Sequence, residues 1–176
     1  MRIGITGAQS VGKTTLLNAL RSEPMFKGYS ICDEVTREIK QMGFDINEAG
    51  SDLTQLLIMQ KHIVNIFMNK DMLTDRTSLD GLVYTLYLNL AHKVKPETLA
   101  KARSIYEKTI TEYDYVFYIR PEFDMVDDGV RSTDQQFRDD IVNIFEGLIS
   151  EIPRPVHVLT GSVRDRVEQV LKTVGG

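Results

Sequence analysis

Gly7-Ala8-Gln9-Ser10-Val11-Gly12-Lys13-Thr14 is a complete G-x-x-x-x-G-K-[ST] phosphate-binding loop, preceded by the apolar run Arg2-Ile3-Gly4-Ile5-Thr6. The glycines of such a loop let consecutive backbone N–H groups converge on phosphate oxygens, and the following helix adds the positive end of its dipole. Lys13 then reaches the terminal phosphates, and Thr14 places its hydroxyl on Mg²⁺. The segment expected to contact nucleotide runs from Gly7 through Thr15. A strand before the loop and a helix after it are the required context. Lys13 to Leu20, with Leu16, Leu17 and Leu20 on one face, reads as that helix. The chain is therefore expected to bind a nucleoside triphosphate.

The bulk composition narrows the classes further. At 176 residues and 42% hydrophobic content, one globular domain spanning residues 1–176 is expected. A net charge of −4 gives no global field that attracts nucleic acid or an anionic membrane, which favours a small substrate and leaves only a local basic groove open for DNA. Cys32 is the single cysteine, so an internal disulfide and a multi-cysteine metal site are excluded, as fits a reducing cytoplasm. Its place in the run Tyr29-Ser30-Ile31-Cys32 predicts a buried small hydrophobe. There is no apolar stretch of membrane-spanning length and no basic-plus-apolar leader, so a cytoplasmic location without membrane attachment is expected.

Strand-like and helix-like runs alternate along the chain, the order of an α/β fold with a largely parallel sheet. After Arg2–Thr6 and Lys13–Leu20 come a strand at Tyr29–Cys32 and a helix from about Asp52 to Asn69. In that helix Leu53, Leu56, Leu57, Ile63, Val64 and Phe67 recur at three-four spacing, with Ser51 as N-cap. A short strand, Met72-Leu73-Thr74, ends in Asp75-Arg76, and two helices follow at Leu79–Leu90 and Thr98–Tyr113. Tyr115–Ile119 is the most strongly β-forming run. A polar loop, Arg120 to Thr133, then leads to a helix at about Asp134–Ile152, a strand at Val156–Leu159 and a terminal helix carrying Val163, Val167, Val170, Leu171 and Val174 in register.

A phosphate loop alone does not separate kinases, GTPases and ATP-driven machines, so the other strand ends have to decide. The nearest string to a guanine-reading Asn-Lys-x-Asp is Asn69-Lys70-Asp71-Met72, with aspartate one place early, and no Asp-x-x-Gly switch occurs. Asp33-Glu34 follows the second strand. In small phosphate-loop kinases that strand end faces the phosphate acceptor, where either Asp33 or Glu34 takes the proton of the attacking hydroxyl. A solvated or helix-capping acidic pair is the competing reading. Arg37, one helical turn on, suits a substrate phosphate, carboxylate or carbonyl. Asp75 ends the third strand, where an aspartate holds Mg²⁺ through water, and Arg76 orients the acceptor or a phosphate; a surface ion pair is the alternative. Asp80 reads as a helix cap. Long polar loops such as Arg120–Thr133 frequently act as closing lids. Arg131 is the candidate for meeting the transferring group, with Arg120 and Arg138 as substitutes. Thr160-Gly161-Ser162 is the place where backbone passes around adenine with Arg164 over the base, or else a plain cap. His62, His92 and His157 share no ligand spacing.

This order of motifs resembles the small P-loop kinases related to the ribosylnicotinamide kinase domain of bifunctional NAD-biosynthesis proteins and to the thymidylate and deoxynucleoside kinases. The carriers are Gly7 to Thr14, Glu34-Val35-Thr36-Arg37-Glu38, Thr74-Asp75-Arg76-Thr77, Asp127-Asp128-Gly129-Val130-Arg131-Ser132 and Leu159-Thr160-Gly161-Ser162. The resemblance implies a three-layer P-loop fold with a mainly parallel five-stranded sheet and a lid. It also implies ATP and Mg²⁺, and phosphorylation of a hydroxyl on a nucleoside-like acceptor. Relatives of viral type extend the implied acceptors to a hydroxymethyl pyrimidine within DNA, which the acidic balance does not support. The chain has no tryptophan, so Tyr29, Phe44, Tyr84 or Tyr87 would have to stack on the acceptor. A nucleotide-dependent regulatory or hydrolytic module, serving a protein or DNA partner, is the alternative reading.

Overall fold

The structure is a computed structural model that describes residues 1–121 and 135–176. Five parallel strands, β1 (Arg2–Thr6), β2 (Ser30–Cys32), β3 (Met72–Asp75), β4 (Tyr115–Ile119) and β5 (Val156–Leu159), form one sheet in the order β2-β3-β1-β4-β5. Seven helices flank it among the described residues: α1 (Lys13–Arg21), α2 (Val35–Gln41), α3 (Asp52–Met68), α4 (Ser78–Leu90), α5 (Pro96–Thr109), α6 (Gln135–Ile149) and α7 (Val163–Gly175). This is the three-layer phosphate-loop kinase fold expected from the sequence.

Strand order decides where a ligand can bind. β1 pairs with β3 on one side and β4 on the other, so the chain leaves β1 at the point where the sheet's winding reverses. In open α/β sheets, ligands lodge in the crevice beyond such a switch point. Residues of β1 alternate between the two faces. Gly4 and Thr6 face α4: Thr6 donates its hydroxyl to Asp80 of α4 at 2.6 Å. Ile3 and Ile5 turn to the opposite face, and α1 packs against β1, β3 and α7. β4 is central and apolar enough that Val116, Phe117, Tyr118 and Ile119 are all buried.

α4 runs through the interior, contacting α3, α5 and α6, and residues Ser78 to Tyr84 are all buried. Its start is fixed by a capping box in which Thr77 and Asp80 exchange hydrogen bonds, as the sequence position of Asp80 suggested. The helix expected at Thr98–Tyr113 begins earlier, because Pro96 fits the first helical turn, and it tightens into a 3₁₀ turn at Ile110–Glu112.

α3 departs from its hydrophobic pattern. The apolar stripe an amphipathic helix would bury includes Leu53, Val64 and Phe67, yet these are exposed, Phe67 by 60%, along with Met68 at 78%. The face turned inward carries Thr54, Gln55, Ile58, Met59, His62, Asn65 and Ile66. Polar groups there find partners that outweigh the apolar stripe: Thr54 donates to the Asp45 carbonyl at 3.0 Å, and Gln55 accepts from the Thr85 hydroxyl at 3.1 Å. Cys32 is half-buried at the end of the sheet-edge strand β2 rather than enclosed, and burial pushes its thiol up.

At Gly4, β1 passes close against Thr77, the N-cap of α4. A Cβ there would stand 2.3 Å from Thr77 Cγ2 and 3.1 Å from the Tyr113 ring. Gly4→Ala is expected to lower stability by about 1–3 kcal/mol through overpacking, read as a shift in the urea midpoint at unchanged slope.

Candidate functional site

The loop between β1 and α1 is held in a conformation that only part of its sequence could take freely. Gly12 has φ +91, in the left-handed region, and Ser10 stands at φ +60. Arg166 of α7, 2% exposed, donates from Nη1 to the Val11 carbonyl at 2.9 Å, and the same nitrogen would lie 3.3 Å from any Cβ on Gly12. Sequence reading missed this support. Its signal was a charge at position 166 on the helix face that also carries Val163, Val167 and Val170.

Lys13 is buried against the loop, with Nζ donating to the Gly7 carbonyl at 2.7 Å and the Ala8 carbonyl at 2.6 Å. Burial, reinforced by the Arg76 charge, pulls its ammonium down to about 8, although Asp75, Asp80 and Glu34 oppose that shift. The Thr14 hydroxyl donates to Asp75 Oδ2, while Asp75 Oδ1 is buried without a hydrogen-bond partner. Burial raises the Asp75 carboxyl despite Lys13 beside it. An orphaned carboxylate oxygen next to a loop hydroxyl is a donor set that suits a hard divalent cation.

Beyond the strand ends, Glu34 and Arg76 form the centre of a buried charge cluster; they are 3% and 2% exposed. Arg76 donates to Glu34 Oε1 from Nε at 3.0 Å and Nη2 at 2.6 Å. Thr36 donates to the same oxygen at 2.9 Å, and Arg37 Nε donates to Oε2 at 3.0 Å. Asp80 Oδ1 stands 3.6 Å from Arg76 Nη1. Burial works against the Arg76 charge, but Tyr84, Glu34, Asp80 and Asp75 outweigh it and hold the guanidinium well above its ordinary value. Arg76 carries φ +84, a strained conformation for a residue with a side chain, of the kind that concentrates at functional sites. A surface ion pair, one of the readings of Asp75-Arg76, is thereby excluded.

The cluster forms one wall of a narrow cleft lined by Thr36, Asn47, Gln55, Ile58, His62, Arg76, Asp80, Gly81 and Tyr84. The cleft has room for about one water molecule, so anything the size of a nucleoside needs it to widen. Gln9 of the phosphate loop accepts from the Tyr84 hydroxyl at 2.9 Å, and Arg76 Cζ lies 5.0 Å from the Tyr84 ring centre. Loop and cleft are thus joined through one tyrosine.

Other expected residues lie apart. Asp33, the other candidate base, faces solvent and pairs with Arg21 at 3.3 Å, whereas Glu34 is buried against Arg76. Arg120, just past β4, is exposed and pairs with Glu146 of α6 at 3.2 Å. Arg164 lies on the solvent face of α7, paired with Glu168 at 3.1 Å, and the arginine of α7 that reaches the phosphate loop is Arg166. Gly161, at φ +83, precedes a capping box between Ser162 and Asp165. The expected lid, with Arg131 and the Asp127–Ser132 motif, lies outside the described residues. Of the four aromatic candidates Tyr84 lines the cleft; Tyr29 packs on Phe26, Tyr87 on Phe137, and Phe44 on the Val35, Ile39, Ile46 and Ile58 cluster. No group of three or more metal-ligating His, Cys, Asp or Glu occurs among the described residues, and no described helix is long and apolar enough to cross a membrane.

A family model described as an AAA domain matches residues 2–166. Among solved structures, a deoxyadenosine kinase from M. mycoides with dCMP and dCDP aligns at TM-score 0.77 and 17% identity, covering 99% of this chain and 98% of that one. The NadR protein in complex with NR aligns at TM-score 0.72 and 18% identity, covering 99% of this chain and 51% of that one. YorR from Bacillus subtilis, in complex with phosphorylated GDP, aligns at TM-score 0.63 and 16% identity, covering 99% and 95%. At these identities the likeness establishes the fold. No curated protein matches the sequence.

If Arg76 holds the cluster together, Arg76→Met strands the buried Glu34 and Asp80 charges and is expected to cost about 3–5 kcal/mol in urea unfolding. Arg76→Lys keeps the charge without the forked donors and is expected to cost less. Equal and small losses for both would show that the pairing is not structural.

Proposed function

Because this chain belongs to the AAA domain family of phosphate-loop proteins, matched over residues 2–166, we propose that it uses its loop to move the γ-phosphate of ATP to a hydroxyl of a nucleoside-like acceptor. Residues 1–176 then act as one kinase domain. The observation that carries this reading is the junction of Lys13, Thr14 and Asp75 with a charged wall of Glu34, Arg37 and Arg76, bridged by Gln9 and Tyr84. A hydrolytic loop has no need of a cleft walled by buried charges. Kinship in fold to a deoxyadenosine kinase and to NadR supports the same direction.

The chain's residues divide the work as follows. Backbone N–H groups of Gly7 to Thr15 and the Lys13 ammonium hold the triphosphate. Thr14 and Asp75 would hold Mg²⁺, which when bound neutralises charge on the β- and γ-phosphates. Glu34, fixed by Arg76 and Thr36, accepts the proton of the acceptor hydroxyl as its oxygen bonds to the γ-phosphorus and the bond to the leaving diphosphate breaks. Two arginines clamp that carboxylate, so its main contribution is to hold the hydroxyl in line, and proton acceptance is secondary. Arg37, partly exposed beside Glu34, contacts acceptor oxygens, and Arg131 and Arg120 are the candidates for meeting the transferring group. Asp33 has no part in the step.

A second reading rests on the family match itself: nucleotide hydrolysis coupled to a protein or DNA partner. The two separate by product. Incubation with labelled ATP and a panel of deoxynucleosides, deoxynucleotides, nicotinamide riboside and hydroxymethylated DNA is expected to yield a phosphorylated nucleoside. Partner-stimulated phosphate release with no phosphorylated acceptor would favour hydrolysis. Lys13→Ala is expected to abolish transfer with the fold retained. Glu34→Gln is expected to spare ATP binding and slow transfer by about 10²-fold or more; transfer at the normal rate would remove Glu34 from the step.

The low pKa of Lys13 sets a pH dependence. Binding phosphate favours the charged lysine, while the free folded chain loses that proton above about 8. ATP affinity is therefore expected to hold up to about pH 8 and then to weaken, by up to about tenfold per pH unit, in calorimetric titrations. The unfolded chain keeps the same proton to about 10.5, so the nucleotide-free protein gains stability from Lys13 over the interval in which it loses affinity.

A further inference from the structure

His62 is a buried polar group that the transfer step does not use. It is 1% exposed and projects from α3 into the lining of the cleft, beside Gln55, Ile58, Gly81 and Tyr84. Neither Nδ1 nor Nε2 has a hydrogen-bond partner. Its polar neighbours on the same helix face differ: Thr54 is tied to the Asp45 carbonyl and Gln55 to the Thr85 hydroxyl. Burial keeps the imidazole neutral, pushed down to about 4, with Asp80 pulling it up and Arg76 adding to the downward push. A neutral imidazole offers one N–H donor and one ring-nitrogen acceptor, and burying both unmade costs stability. Leucine would fill the same position without that cost. A buried polar group held at the expense of stability and aimed into a cleft marks a ligand contact.

We propose that His62 determines acceptor specificity, recognising an uncharged heterocyclic base through hydrogen bonds to donor and acceptor groups on the ring edge. The assignment rests on the phosphotransferase reading above. A cationic ring fits this wall poorly. The imidazole brings no counter-charge, and Arg76 already stands over the Tyr84 ring at 5.0 Å, so that cleft-lining aromatic ring is shared with a cation. Asp80 Oδ2 is committed to Thr6 and Thr77, and Oδ1, which makes no hydrogen bond, stands 3.6 Å from Arg76 Nη1, whose charge offsets it. Nucleosides of neutral bases are thereby preferred over nicotinamide riboside.

Calorimetric binding of the four common deoxynucleosides and nicotinamide riboside to the full chain with an unreactive ATP analogue, together with thermal unfolding of the free protein, tests the assignment. The wild type is expected to bind at least one neutral nucleoside tenfold or more tightly than nicotinamide riboside. His62→Leu is expected to weaken that nucleoside by 10- to 100-fold, to leave ATP-analogue affinity within twofold and to raise the unfolding temperature. His62→Gln, which keeps a donor and an acceptor, is expected to recover part of the affinity. Unchanged nucleoside affinity in His62→Leu, a lowered unfolding temperature or failure to fold, a preference for nicotinamide riboside, or no nucleoside bound by the wild type would each overturn the proposal. Binding that follows the expected pattern with no phosphorylated product formed from ATP would overturn the kinase reading and leave the role of His62 standing.

Discussion

The site depends on a guanidinium buried from bulk solvent. Arg76 is charged in the interior because Glu34 and Asp80 meet it there, and removing either partner would leave a buried charge that the remaining hydrogen bonds could not compensate. That requirement fixes three separate parts of the chain at once. Glu34 comes from the turn after β2, Asp80 from the capped start of α4, and Arg76 from a strained residue just past β3. The strain is tolerable only because the ion pairs and the cap over-determine the backbone between them.

The phosphate loop is coupled to this cluster by short links. Asp75 meets Thr14 at the head of α1, one residue before Arg76 meets Glu34, so the end of a single strand serves both halves of the site. Tyr84 joins Gln9 to Arg76 from the other side. Parallel strand order makes this economy available. With β1 between β3 and β4, all strand ends face the same crevice, and side chains distant in sequence converge without long loops.

The fold was legible in the sequence because its signals are local. The glycine-lysine loop, the apolar runs at Arg2–Thr6 and Tyr115–Ile119, and the alternation of strands with helices each depend on a few neighbouring residues. The inward turn of Glu34 and the charge cluster were less legible. Asp33 and Glu34 are equivalent as letters, and only the turn geometry after β2 sends one to Arg21 and the other to Arg76. α3 was misleading for a physical reason. Its strongest apolar stripe lies outside, since the face turned inward carries Thr54, Gln55, His62 and Asn65 beside the cleft and the neighbouring helix, and hydrophobic periodicity does not register polar residues buried in this way. His62 carried no spacing signal because its meaning comes from having no protein partner, which a sequence cannot display. Arg166 was hidden for the opposite reason: its partner, the Val11 carbonyl, lies 155 residues away.

The most direct measurement is a crystal structure of the chain with an unreactive ATP analogue and a bound nucleoside. The account predicts a widened cleft with the nucleoside hydroxyl in hydrogen-bond reach of Glu34 and pointing at the γ-phosphate held by Lys13, while Arg76 stays paired to Glu34. A nucleoside seated elsewhere, or a triphosphate whose outermost phosphorus lies away from Glu34 with the cleft closed, would contradict it.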